Sequence, residues 1–263
     1  MGEPWFVLFR DGPPADWARA ADVLDRASPT LTRGDATKAC RFGYGLVFHP
    51  LPATEARAAA DALERAGLAC LAFPAAQLVQ APKAFGLLNA QFREDGLAVP
   101  VDSTGALQLL PWQSLRVLHR VQVRPVAMPL SLLSETEYQT PEGDTVRLPD
   151  PLPGPEPDAK EPETWLELYG LTPLLRLHIR SHAFNYGCLG PRRAASSGQN
   201  FALLLQEFVR FTPQAAHVGF PSTAATANSA VGRRPAIAEK ELDRFVTALL
   251  TREALVGLPR EGP

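Results

Sequence analysis

Cysteine is scarce in this chain: three among 263 residues, Cys40, Cys70 and Cys188. They are an odd, widely scattered set without C-x-x-C spacing, which excludes the usual thiolate zinc site and a disulfide framework. Reduced thiols in a cytoplasm are the expectation. Lysine is also scarce, with four against 22 arginines. Alongside abundant alanine and proline, that imbalance reads as the codon bias of a GC-rich bacterial genome. An excess of one charge is missing too. The net charge of −2 gives no global attraction to nucleic acid or to an anionic membrane. No apolar run approaches the roughly 20 residues that span a bilayer. The opening Met-Gly-Glu-Pro-Trp lacks the basic and apolar regions of a signal peptide. The reading is a soluble, cytoplasmic protein with no membrane span.

Short catalytic motifs are absent as well. No Gly-x-Gly-x-x-Gly or Gly-x-x-x-x-Gly-Lys follows a strand, so no phosphate-cradling loop and no cofactor are implied. No Gly-x-Ser-x-Gly elbow occurs. His49, His119 and His217 stand isolated, and no pair of carboxylates is marked out.

What is present divides the chain. "WFVLFR" (5–10), "YGLVFH" (44–49) and "LACLAF" (68–73) are apolar, strand-like runs. Between them, Trp17, Ala20, Ala21 and Leu24 recur at helical spacing. "LPATEARAAADALERAG" reads as the clearest helix, with Thr54 as cap, Glu55 at the positive end of the dipole and Gly67 at the left-handed C′ position. Residues 28–40 read either as a short helix around Asp35–Cys40 or as an irregular edge. Residues 1–80 are thus expected to form a small α/β sandwich, similar to a ferredoxin-like module if 28–40 supply a further strand.

From Ala84 the pattern changes to strands and turns: Gln91–Arg93, Leu97–Val101, Leu107–Leu110 and Leu115–Val123, with hairpin signals at "EDG" and "STG". An antiparallel meander is expected, pairing with strands inside 165–188. Residues 124–163 hold nine prolines, and 134–163 carry nine acidic residues against Arg147 and Lys160. Such a segment cannot bury enough apolar area to offset its ordering entropy and reads as an inserted loop. "GQNFALLLQEFVRF" follows as a helix, entered through Ser196 and Ser197. Then "STAATANSAVGRRP" forms a connector and "AIAEKELDRFVTALLTREAL" a final amphipathic helix with Ile237, Leu242, Phe245 and Leu249 on one side.

The strand pair around "EDGL", the strand entered through "LPWQSL" and the later strands and helix resemble the pleckstrin-homology-like barrel of uncharacterised bacterial proteins, over about residues 84–212. The fold class expected is therefore α+β: a small α/β sandwich (1–80), then an antiparallel pleckstrin-homology-like barrel (84–212, with the insertion 124–163), then connector and C-terminal helix (213–263). The resemblance implies no binding residues, since no ligand motif of those domains is matched.

"RLHIRSHAFNYGCLGPRR", 176–193, looks most like chemistry. Leu175, Leu177, Ile179, Ser181 and Ala183 alternate with Arg176, His178, Arg180 and His182, the period of a half-buried strand. Four strand positions separate His178 from His182 by roughly 13 Å, too far to share an ion with metal–nitrogen bonds of about 2 Å. No metal site is expected. "YGCLG" matches no cysteine-hydrolase signature, so Cys188 reads as a small buried hydrophobe and no catalytic residue is assigned. What remains is a ladder, Arg176, His178, Arg180 and His182, which either meets an anionic ligand or is an ordinary solvated strand face, the preferred reading. No aromatics interleave with it to stack bases, so nucleic acid is not expected. The function expected is a non-enzymatic binding or scaffold protein that contacts a protein partner or a small anionic ligand. The alternative is an enzyme whose site is assembled from residues distant in sequence.

Overall fold

Trp5–Phe9 (β1) is the middle strand of the first sheet in a computed structural model that describes residues 3–100, 106–124, 138–139, 145–146, 162–220 and 236–258. Leu46–Leu51 (β2) and Cys70–Pro74 (β3) pair antiparallel on either side of it. Val7 and Phe9 point to one face, where Trp17–Ala27 (α1), Arg33–Phe42 (α2) and Ala53–Arg65 (α3) pack. Alanine lets these helices come close: Ala20, Ala36, Ala56 and Ala59 are fully buried. Residues 33–42 form a helix capped by the Thr32 hydroxyl, which accepts from the Asp35 amide at 3.1 Å. They therefore do not supply the strand that the ferredoxin-like resemblance needs. Thr54 lies inside α3 and does not cap it, because the helix begins at Ala53 after Pro52. Glu55 instead accepts hydrogen bonds from Ser28 and Thr30, both at 2.8 Å, and so ties the α1–α2 turn to α3.

The second unit holds Phe85–Gly86 (β4), a meander of Gln91–Phe92 (β5), Gly96–Pro100 (β6) and Leu107–Pro111 (β7), then Leu115–Arg124 (β8). Tyr138–Gln139 (β9) pairs with Thr145–Val146 (β10). Glu163–Leu171 (β11), Leu174–Arg180 (β12), the helix Ser197–Phe211 (α4), Ala216–Val218 (β13), Ile237–Ala238 (β14) and the helix Leu242–Leu255 (α5) follow. The large sheet runs β13-β8-β11-β12-β4, with β14 also on β8, while β5-β6-β7 form a sheet of their own. The fold is mixed α+β, and among the described residues no sheet closes into a barrel. The rest of the Pro-rich insertion, the "STG" turn and residues 221–235 lie outside the described residues.

Both faces of the large sheet are covered. Leu118, Leu166, Leu168 and Ile179 face α4 and the meander. Val117, Val121, Trp165 and Tyr169 face α5. The same helix touches the first sheet from its free side, where Ala248 packs with Phe6, Leu8, Leu46 and Phe73. Helix α5 is therefore buried all round from Phe245 to Glu253, while Asp243 and Arg244 in its first turn are exposed. This corrects the expectation of a one-sided amphipathic helix, and Ile237 belongs to β14 and not to that helix. Its polar residues are fastened. Arg252 donates to the carbonyls of Phe9 and Tyr44 at 3.2 and 2.9 Å, and the Thr247 and Thr251 hydroxyls accept from the amides of Ala81 and Val79.

Gly45 shows how tight that junction is. Its φ is +89°, and a Cβ there would stand 2.3 Å from Arg252 Nη2 and 2.8 Å from the Gly12 carbonyl carbon. Gly67 has φ +79° with open space around it, as the C′ position requires. Gly67→Ala is expected to cost about 1 kcal/mol, the left-handed strain alone. Gly45→Ala should cost at least about 2–3 kcal/mol, because Arg252 Nη2 must also leave the Tyr44 carbonyl and the Gly12 backbone must shift. Equal urea midpoints for the two variants would contradict this packing.

Candidate functional site

The alternation in β12 is real, but its second face is only partly solvated: Arg176 is buried and His178 half-buried, while Arg180 and His182 are exposed. Leu177 and Ile179 face α4, and Arg176 faces α5 with only 4% of its surface exposed. The solvated-face reading is corrected at Arg176, where a helix covers the sheet, and holds at Arg180 and His182, which are exposed; carboxylates neutralise both arginines. Arg176 Nε donates to Glu167 at 2.8 Å and its Nη1 to Asp243 of α5 at 2.6 Å. Arg180 donates through Nε and Nη2 to Glu163, at 2.9 and 2.7 Å. Glu163 and Glu167 come from "ETWLELYG", the neighbouring strand, with Glu167 directly opposite His178 in the register. The readable signal was E-x-x-x-E beside R-x-H-x-R, two alternating patterns that match only once the strands are paired.

The four ladder residues separate. Arg176 and His178 remain together, whereas Arg180 is turned to Glu163. His182 lies beyond the end of β12 and is exposed. Among the described residues no three histidine, cysteine or acidic side chains are grouped to hold a metal ion. Cys188 is half-buried in the 3-10 turn Tyr186–Arg192, and burial pushes its thiol pKa up. Arg192 is bonded to Glu207.

Arg176 and His178 line an open cleft of about 520 Å³, together with Trp165 of β11, Glu239 and Asp243 near the start of α5, and Lys83. The Thr247 and Thr251 hydroxyls hold residues 79–81 against α5 and so bring Lys83 to the rim. Lys83 is exposed and has no ion-pair partner among the described residues. Helix α5 begins at the cleft without a side-chain cap, and the carboxylates of Glu239 and Asp243 lie at its positive end. The His178 ring stacks on Trp165 at 5.1 Å, and burial, then Arg176 and Arg180, lower its pKa, favouring the neutral ring.

Beneath Arg176 the site is closed to solvent. The Glu167 side chain is 0% exposed, and burial raises its pKa even though Arg176 pulls the other way. Burial likewise opposes the Arg176 charge, but the carboxylates of Glu167 and Asp243 outweigh it and raise that pKa. Glu167 and the Tyr169 hydroxyl are fully buried on the same face and interact with each other, but among the described residues neither Glu167 Oε1 nor the hydroxyl makes a hydrogen bond of good geometry. No family model, curated protein or solved structure significantly matches the chain.

Proposed function

We propose that the protein is a non-enzymatic binding protein whose cleft takes a small ligand through an anionic group. One observation carries the reading. A guanidinium that is almost wholly buried opens onto the cleft, with Nη2 unbonded among the described residues. Lys83 on the rim supports the same ligand chemistry. The volume suits a small molecule, since ligand sites commonly span about 300–1,000 Å³. Catalysis has less support, because Glu167, with its raised pKa, is wholly buried and does not line the cleft. The proposed kinship of residues 84–212 with pleckstrin-homology-like proteins rests on the antiparallel meander and the helix after it, and the open sheets weigh against it.

Titration calorimetry with small carboxylates and inorganic phosphate tests the site. At least one anion should bind saturably, and Lys83→Glu should weaken it about tenfold at low salt. Reversing one rim charge a few ångströms from an anion in water-like surroundings changes the energy by about 1–2 kcal/mol. Saturable binding by no anion, or binding indifferent to Lys83→Glu, would overturn the proposal.

A further inference from the structure

We infer that Asp243 is a built-in competitor at this site, and that the ligand it stands in for is a small carboxylic acid. The inference rests on the anion-binding reading of the cleft. Asp243 and its partner differ sharply in burial. The Arg176 side chain is 3% exposed and Asp243 is 80% exposed, yet they are bonded at 2.6 Å. One member is fixed by the sheet and by Glu167, while the other reaches in from solvent at the first turn of α5.

The geometry favours a planar, two-oxygen group. Glu167 takes the Nε side of the guanidinium, which leaves the edge formed by Nη1 and Nη2 toward the cleft. Asp243 uses that edge through Nη1 alone. A ligand carboxylate placed on both nitrogens makes two parallel charge-assisted bonds where Asp243 makes one. Asp243 is exposed enough to be rehydrated when it leaves, so its displacement strands no buried charge. Arg176 stays neutralised throughout, by Glu167 and by whichever carboxylate occupies the edge. An unliganded cleft thus keeps its buried cation paired, and the ligand binds by exchange.

Because the binding-competent form is the one with Asp243 displaced, apparent affinity falls by the fraction of time the edge is free. Removing the competitor restores it. NMR-monitored titrations of the full-length wild type, Asp243→Ala and Glu239→Gln, with benzoate and with inorganic phosphate, provide the test. Asp243→Ala should tighten benzoate about tenfold or more, while Glu239→Gln, which removes a charge from the same cleft without freeing Arg176, should gain no more than about threefold. In the wild type, the Asp243 amide and the Arg176 guanidinium resonances should shift together on adding benzoate. If benzoate binds the wild type and responds to Lys83→Glu but Asp243→Ala gains nothing, Asp243 is no competitor and the anion site still stands. Equal gains in the two variants reduce the effect to general electrostatics and overturn the inference. A gain for phosphate without one for benzoate overturns the carboxylate assignment. Binding of neither anion to any of the three chains removes the anion site itself.

Discussion

Leu250→Asp and Ala248→Asp are each expected to abolish cooperative folding of the whole chain, and not only of its C-terminal end. Leu250 is 0% exposed against the large sheet, and Ala248 is 0% exposed against the first. Either change buries a carboxylate without a partner, at several kcal/mol, within a total stability of about 5–15 kcal/mol. The two changes sit on opposite sides of α5, so each attacks one sheet directly and the other through the helix. Ala254→Asp, at an exposed position of the same helix, should stay within about 0.5 kcal/mol of the wild type. Urea unfolding followed by near-UV circular dichroism distinguishes the cases. A retained cooperative transition of the large sheet in Ala248→Asp would show that α5 does not couple the two units.

Arg176→Met should be the other severe change, at about 3–5 kcal/mol, the usual result of removing one member of a buried ion pair. It leaves Glu167, fully buried, with no cation. The same substitution should add a pH dependence of definite sign. Glu167 already has a raised pKa in the folded state because of burial, and losing Arg176 raises it further. A carboxyl whose folded pKa exceeds its unfolded value binds more protons when folded, so stability falls as pH rises through that range and recovers on acidification. The Glu167 contribution to the variant's stability should therefore be greatest at or below the ordinary glutamate pKa, with the same sign as in the wild type and a larger amplitude. The double variant Arg176→Met, Glu167→Leu should recover most of the loss, since two apolar side chains can replace a buried pair at little cost. A double variant no better than Arg176→Met would contradict the account.

Most local structure was legible from the sequence because it follows from periodicity. The strands at Trp5, Leu46, Cys70, Leu115, Glu163 and Leu174 and the helices at Trp17, Ala53 and Ser197 fall where apolar spacing places them. Long-range facts were not legible. Helix α5 reads as one-sided because Thr247, Thr251, Arg252 and Glu253 are polar, and only the fold shows those groups bonded to other elements. Half of the candidate site was readable. Arg176 and His178 stand out in a cationic alternation, but Glu167 pairs with Arg176 only through strand register and Asp243 only through helix docking. Lys83 carried no signal at all, since a lone lysine before a strand looks like any other surface charge.

The position of α5 also sets an order of events during synthesis. Phe6, Leu8, Leu46 and Phe73 are all present once β3 has been made, and they form an apolar face that Ala248 helps to cover. At 5–20 residues per second, the ribosome needs on the order of 10–30 s to reach that alanine. Until then the first sheet is half a sandwich, with helices on one side and bare phenylalanine and leucine on the other. Nascent chains are thus exposed to self-association for most of their time on the ribosome, and any stop codon ahead of α5 makes that exposure permanent.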